Sequence, residues 1–69
     1  MTKLPERLIE LKNSRNLMQK SIAQDLEIPL RTYQRYERGE GEPNATTLLK
    51  MADYFDVSID YLVGRTDIP

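Results

Sequence analysis

Two short apolar stripes, separated by a break of three residues, constrain the fold of this chain more than any other feature of its sequence. The first stripe consists of Ile22, Ala23 and Leu26, and the second consists of Tyr33 and Tyr36. Both stripes have helical spacing, and the break at Glu27-Ile28-Pro29 leaves no room for a loop. Two short helices joined this tightly must cross at a steep angle, so the stretch predicts a helix-turn-helix.

The outer face of the second of these helices carries what we call the polar stripe. Its members are Arg31, Gln34, Arg35 and Arg38, at positions i, i+3, i+4 and i+7. Such positions lie on one side of a helix. Arginine and glutamine donate hydrogen bonds to phosphate oxygens and to base edges, so the stripe favours double-stranded DNA as a partner. A solvated helix face is the alternative, because charged side chains commonly lie outside a bundle.

Apolar spacing and cap residues divide the whole chain into five short helices. The predicted ranges are 4–13, 19–26, from near Pro29 to just before Gly39, from the Asn44 cap through Phe55, and 59–63. No stretch alternates with a period of two for long enough to form a strand. The sequence therefore predicts an all-α, compact five-helix bundle with the helix-turn-helix in its second and third helices. Residues 1–65 are expected to form the domain, and residues 66–69 a C-terminal tail or the start of a linker.

Length and composition exclude several classes of function. A chain of 69 residues makes one domain, and it contains neither cysteine nor histidine. No nucleophile–base pair, phosphate-binding glycine loop or metal-ligand spacing occurs, so we expect no enzyme, no metal, no cofactor and no small-molecule ligand in this domain. No apolar run approaches the roughly 20 residues of a membrane span, and no signal peptide is recognisable, so we expect a cytoplasmic, nucleoid-associated protein and no membrane partner.

The charge is divided unevenly between the two parts of the chain. Residues 1–39 carry eight Lys/Arg against five Asp/Glu, and residues 40–69 carry two against six, so their net charges are +3 and −4. A basic part that meets DNA and an acidic part that does not would fit local attraction to a polyanion. An ordinary mixed surface explains the same charges equally well.

One acidic residue lies on the helix that carries the polar stripe. Glu37 would repel phosphates if it faced them, so we expect it to point inward and to form a structural ion pair with a cation of the first helix. Lys12 is the candidate by position.

Several motifs follow one another in a fixed order along the chain: Arg7-Leu8 with Leu11, Gln19, Ala23, the run YQRYERG, Pro43 and the run FDVSIDYLVG. This ordered set resembles the lambda-repressor/Cro-type, or XRE, family of bacterial and phage helix-turn-helix regulators over essentially the whole chain. Two positions depart from the family pattern. Glu27 replaces the usual small residue of the turn, where a positive φ would strain it, and Met18 replaces the usual Ser or Thr cap.

The resemblance implies a role for individual residues. The third helix would lie in the major groove. The family's base-reading positions fall on Leu30, Arg31, Gln34 and Arg35. Its phosphate-contacting positions fall on Gln19 and Asn44, with Lys20 and Arg38 as further phosphate contacts. Ile59 and Tyr61 match positions that form a two-fold dimer contact in some relatives, although both could equally complete the core.

The sequence therefore predicts sequence-specific DNA binding by a transcriptional regulator, a repressor that acts by operator occupancy. A homodimer on a palindromic operator would multiply the few base contacts of one domain. The alternative is a protein–protein interaction module of the same fold, which would use the acidic face of helices four and five.

Overall fold

The computed structural model describes residues 2–69, and this part of the chain folds into five α-helices without a strand, which confirms the predicted all-α class. The helices are α1 (Leu4–Ser14), α2 (Gln19–Leu26), α3 (Leu30–Arg38), α4 (Ala45–Phe55) and α5 (Ile59–Val63). α1 packs against α3 and α5, while α2 packs against α3 and α4. Within residues 2–69, no helix combines the length and the apolar character that crossing a bilayer requires.

The core is built from the apolar stripes of all five helices. Its buried apolar members are Leu4, Leu8, Leu11, Ile22, Ala23, Leu26, Tyr33, Met51, Ala52, Phe55 and Leu62. Complete burial of one large apolar side chain contributes roughly 1.5–3 kcal/mol. α3 supplies only Tyr33 to this set. α1 and α2 therefore hold α3 in place through one face of that helix, and its other face lies outside the core.

Two helix ends differ slightly from the sequence prediction. α1 extends to Ser14 rather than Asn13, and the Ser14 hydroxyl donates a hydrogen bond of 3.1 Å to the Leu11 carbonyl. Pro29 is the N-cap of α3 rather than part of its first turn, because its backbone is extended at ψ 145°. Its carbonyl already accepts the N–H of Tyr33 at 3.1 Å, which begins the helical pattern.

The caps explain why α4 and α5 begin where they do. Asn44 Oδ1 accepts the Thr47 N–H at 2.9 Å, and Ser58 Oγ accepts the Tyr61 N–H at 3.0 Å. Each bond satisfies a backbone donor that the first turn of a helix leaves without a partner. α2 lacks this device, since its N-cap is Met18, which makes no side-chain hydrogen bond.

Candidate nucleic-acid interface

Glu27 makes the three-residue turn between α2 and α3 possible. It adopts the left-handed conformation, with φ 60° and ψ 41°. Its N–H bonds to the carbonyl of Gln24, and the N–H of Ile28 bonds to the carbonyl of Ala23. This is the positive φ that strains a residue with a side chain. Ile28 then packs against the core, and this anchors the turn from which α3 begins.

The polar stripe and the tyrosines lie on opposite sides of α3, as their spacing predicts. The three arginines of the stripe are exposed, and Gln34 is partly exposed. Tyr33 has no exposed surface, and Tyr36 is half-buried against the core. α3 is therefore fixed through its aromatic side and presents long cationic side chains on the other.

A chain of polar contacts crosses from α1 to the polar stripe. Lys12 Nζ donates to Glu37 Oε1 at 2.9 Å, and Gln19 Nε2 donates to the same oxygen at 2.9 Å. Gln34 Nε2 in turn donates to Gln19 Oε1 at 3.1 Å. The structure thus brings Lys12 and Glu37 together as the sequence suggested. It also joins two residues, Gln19 and Gln34, for which the sequence predicted separate contacts with DNA.

The surroundings of Glu37 keep its carboxylate ionised. Burial alone would raise the pKa of Glu37, but the donor groups of Tyr33, Lys12 and Gln19 outweigh it, so that this pKa lies below its ordinary value. Burial, and then the nearby Glu37 carboxylate, raise the pKa of Tyr33 far above its ordinary range. The Tyr33 hydroxyl itself makes no hydrogen bond. Its oxygen and Glu37 Oε2 are the only buried side-chain nitrogen or oxygen atoms within residues 2–69 that lack one.

Glu40 holds two arginines of the polar stripe from the loop that follows α3. Gly39 ends the helix in the left-handed conformation at φ 73°, which turns the chain back over the last helical turn. Arg35 Nη2 donates to the Glu40 carbonyl at 3.2 Å, and Arg38 Nη2 lies 3.1 Å from Glu40 Oε1. Both side chains of the Arg38–Glu40 pair are about half-exposed, at 56% and 53%. Such exposed pairs are weak and give way readily to a stronger anion.

The remaining predicted contact residues lie at helix starts. Leu30 is the first residue of α3 and is 39% exposed. Lys20 is exposed in the first turn of α2. Asn44 is exposed at the start of α4, but its Oδ1 is occupied by the Thr47 N–H. Its amide group and the neighbouring backbone donors are what it could offer to a phosphate.

Ile59 and Tyr61, the residues predicted to form a dimer contact, are both half-buried against the core. The Arg7 guanidinium lies 4.1 Å from the centre of the Tyr61 ring. Only the outer parts of these two side chains are available to a second copy of the chain. A more exposed apolar side chain lies on α4, where Leu49 is 54% exposed.

Sequence reasoning missed the role of Arg7. Its Nε donates to the Tyr61 carbonyl at 3.1 Å, and its Nη2 lies 3.3 Å from the Thr66 carbonyl and 2.7 Å from Asp67 Oδ1. Arg7 therefore ties α1 to α5 and to the start of the C-terminal tail. A signal existed, because Arg7 lies next to Leu8 on the core-facing side of α1, where a cation requires buried partners. The contacts of Gln34 and Glu40 had no such signal, since packing between distant elements creates them.

Comparison with known proteins agrees with this geometry. Residues 8–62 match the sequence profile of the helix-turn-helix family. The chain is 41% identical over 63 residues to the cryptic phage CTXphi transcriptional repressor RstR of Vibrio cholerae, which covers 91% of this chain and 56% of that repressor. It is 35% identical over 65 residues to the HTH-type transcriptional regulator ImmR of Bacillus subtilis, with 94% of this chain and 51% of ImmR covered.

The fold is also similar to that of a transcriptional regulator whose structure has been solved. The crystal structure of a transcriptional regulator from Listeria innocua superposes with a TM-score of 0.87 at 38% identity, over 93% of this chain and 60% of that one. The chain spans about half the length of the curated relatives that it matches. These relatives are transcriptional regulators and not enzymes.

Proposed function

Because the chain belongs to the helix-turn-helix family of lambda-repressor/Cro-type transcriptional regulators, we propose that it binds double-stranded DNA sequence-specifically and represses transcription by occupying an operator. One observation carries the proposal. Arg31 and Arg35 are exposed on the side of α3 that faces away from the buried Tyr33. Such a helix can enter the major groove without unfolding any part of the core.

In this proposal three members of the polar stripe read bases, while its fourth member, Arg38, and residues around the stripe bind phosphates. Arginine pairs with guanine O6 and N7 through two donors, and each good pair gives about 1–3 kcal/mol of discrimination. Arg31, Gln34 and Arg35 are the polar base-reading residues, and the exposed Leu30 would contact a thymine methyl group. The proposed phosphate contacts are Gln19, Lys20, Arg38 and Asn44.

A homodimer on a palindromic operator completes the proposal. One domain offers few base contacts, whereas two recognition helices about 34 Å apart on one side of the DNA would bind together. The outer parts of Ile59 and Tyr61 would supply the two-fold contact. Repression would follow from steric exclusion of polymerase, in the cytoplasm and in association with the nucleoid.

Selection of duplexes from a random pool tests the proposal directly. We expect the chain to enrich a two-fold symmetric sequence. Affinity for that duplex should fall with salt, with a slope of log K against log salt of about −0.9 for each phosphate neutralised. Fluorescence anisotropy of a labelled duplex at several salt concentrations measures both affinity and slope.

A charge-matched pair of variants assigns the binding to α3. Arg31→Ala with Arg35→Ala should abolish binding of the selected duplex while helical content by circular dichroism stays unchanged. Lys50→Ala with Arg65→Ala removes the same charge from exposed positions in the acidic part of the chain and should retain binding. If the first pair of substitutions leaves binding intact, α3 does not read the DNA. If no duplex is enriched at all, the protein–protein interaction module becomes the better hypothesis.

A further inference from the structure

Glu40 directly follows Gly39, the residue that ends α3, and its main chain is held in place by Arg35. The Glu40 N–H donates to the Arg35 carbonyl at 2.9 Å, and the Glu40 carbonyl accepts from Arg35 Nη2 at 3.2 Å. Two contacts with one residue of α3 therefore define where the Glu40 backbone lies. From this position the carboxylate reaches Arg38, whose Nη2 lies 3.1 Å from Glu40 Oε1.

The two contacts of Glu40 involve arginines with different roles in the proposed complex. Arg35 is a proposed base-reading residue, and it is bonded to the main chain of Glu40. Arg38 is a proposed phosphate contact, and it is paired with the side chain. A substitution of the Glu40 side chain therefore releases Arg38 without removing the acceptor of Arg35. The effect of the carboxylate on phosphate binding can thus be separated from base reading.

Arg38 carries a large share of the positive charge that is available for phosphate binding. Of the four proposed phosphate contacts, Gln19 and Asn44 are neutral, so Lys20 and Arg38 supply all the positive charge of that set. A carboxylate and a DNA phosphate are both anionic groups of oxygen acceptors that arginine binds well. Because the paired side chains of Arg38 and Glu40 are both about half-exposed, a phosphate can approach the same guanidinium.

We propose that Glu40 is an intramolecular competitor of the DNA backbone, whose carboxylate occupies Arg38 in the free protein and lowers the sequence-independent part of the affinity for DNA. The inference rests on the proposed function, since it requires α3 to lie against DNA. Phosphate contacts carry no sequence information directly. Glu40 therefore weakens binding to every duplex by the same factor and leaves the preference among bases unchanged.

Glu40→Gln tests this inference because it keeps the size of the side chain and removes its charge. The variant should bind both the selected duplex and an unrelated duplex about 1.5- to fivefold more tightly at low salt, as expected for the loss of an exposed ion pair. The ratio of the two affinities should stay the same. The slope of log K against log salt should become steeper by up to about 0.9, because Arg38 then neutralises a phosphate more completely.

Fluorescence anisotropy of the two labelled duplexes measures these affinities and slopes. A repeated selection with Glu40→Gln should enrich the same sequences as the unchanged chain. An affinity equal to that of the unchanged chain, a gain confined to one duplex, or an altered base preference overturns the inference.

A double-mutant cycle determines whether the gain in affinity depends on Arg38. In chains that carry Arg38→Ala, Glu40→Gln should give little further gain, because the arginine for which it competes is absent. Lys20→Ala removes the same charge from the other cationic phosphate contact, and in that background Glu40→Gln should give its full gain. Circular dichroism confirms that each variant is folded. An equal gain in both backgrounds would mean that Glu40 only repels DNA in general, which overturns the competition for Arg38.

Glu42→Gln is the matched control in the same loop. It removes one negative charge from another exposed position, two residues further along the chain, and it should strengthen binding less than Glu40→Gln does. Equal gains from the two substitutions would overturn the role of the ion pair while leaving the proposed function intact. If neither the unchanged chain nor the Glu40→Gln variant binds any duplex at low salt, the proposed function fails and the inference fails with it.

Discussion

At the scale of single residues, Glu37 shows how an acidic side chain can lie on a helix that is proposed to face a polyanion. Only 6% of its side chain is exposed, and that of its partner Lys12 is 17% exposed. The carboxylate is thereby removed from the surface that phosphates would approach. Replacing one partner of such a pair leaves the other buried without compensation, which costs more than the intact pair contributes.

Glu37→Gln is expected to lower the free energy of unfolding at neutral pH by about 1–3 kcal/mol, because Lys12 and Gln19 lose a charged acceptor. The folded-state pKa of Glu37 lies below the ordinary value of 4.5. Its stabilisation is therefore complete above pH 4.5 and is lost as the pH falls through the lower folded-state value. Urea titrations between pH 3 and pH 7 measure this, and the Gln variant should show a weaker dependence on pH.

Glu10→Gln provides the control for Glu37→Gln. It removes one negative charge from an exposed position on α1, so it should alter neither the stability at pH 7 nor the dependence on pH by a comparable amount. Equal effects of the two substitutions would mean that net charge, and not the pair with Lys12, controls acid stability.

At the scale of the elements, three turns depend on residues with side chains in the left-handed region. Asn16, Glu27 and Asp56 have φ values of 54°, 60° and 56°. Asparagine and aspartate tolerate this region better than other residues with side chains, and so Glu27 is the most strained of the three. The short connection between α2 and α3 is therefore maintained, despite this local conformational cost, by the packing of the two helices.

Glu27→Gly is expected to raise the free energy of unfolding by about 0.5–1 kcal/mol. The left-handed region costs a residue with a side chain about 1–2 kcal/mol, and glycine avoids this cost. The greater freedom of glycine in the unfolded chain offsets about 0.4–1 kcal/mol of the gain. The ion pair that Glu27 would lose lies at 3.8 Å from Lys50 and is exposed, so it contributes little. Urea unfolding monitored by circular dichroism measures the difference.

Glu27→Ala isolates the backbone effect. It removes the same ion pair but keeps the conformational cost, so it should be less stable than Glu27→Gly. A glycine variant no more stable than the alanine variant would show that this turn carries no strain.

At the scale of the whole molecule, Arg7 joins the two ends of the domain. Its guanidinium bonds to the carbonyls of Tyr61 and Thr66 and to the Asp67 carboxylate, and it lies over the Tyr61 ring. The hydrogen bond from Arg7 and its positive charge lower the pKa of Asp67. The ion pair is therefore intact above the ordinary pKa of 3.8 and is lost only as the pH falls through the lower folded-state value.

Arg7→Ala is expected to lower the thermal midpoint clearly, because two backbone carbonyls lose their donors and Tyr61 loses a stacking partner. Asp67→Asn should lower it much less, because the bonds to Tyr61 and Thr66 remain. Thermal unfolding followed by circular dichroism compares the two variants. Equal losses would mean that the ion pair alone, and not the contacts with the carbonyls, holds the two ends together.

Most of the fold could be predicted from the sequence because its signals are local. The apolar spacing of Leu4, Leu8 and Leu11 and the caps Asn44 and Ser58 place their helices to within one residue of the structure. The contacts around the polar stripe could not be predicted in the same way. They join α1, α2, α3 and the following loop, and the distance between such elements depends on packing that no local pattern encodes.

The contact between Arg35 and the Glu40 carbonyl has a consequence for the cost of binding. Immobilising a long arginine side chain removes up to about 2 kcal/mol of rotamer entropy. Arg35 is already tethered at one nitrogen to the Glu40 carbonyl, whereas Arg31 is exposed in the first turn of α3. Part of the ordering of Arg35 has therefore occurred on folding, so that of the two arginines Arg35 would lose less rotamer entropy in the proposed contact with DNA.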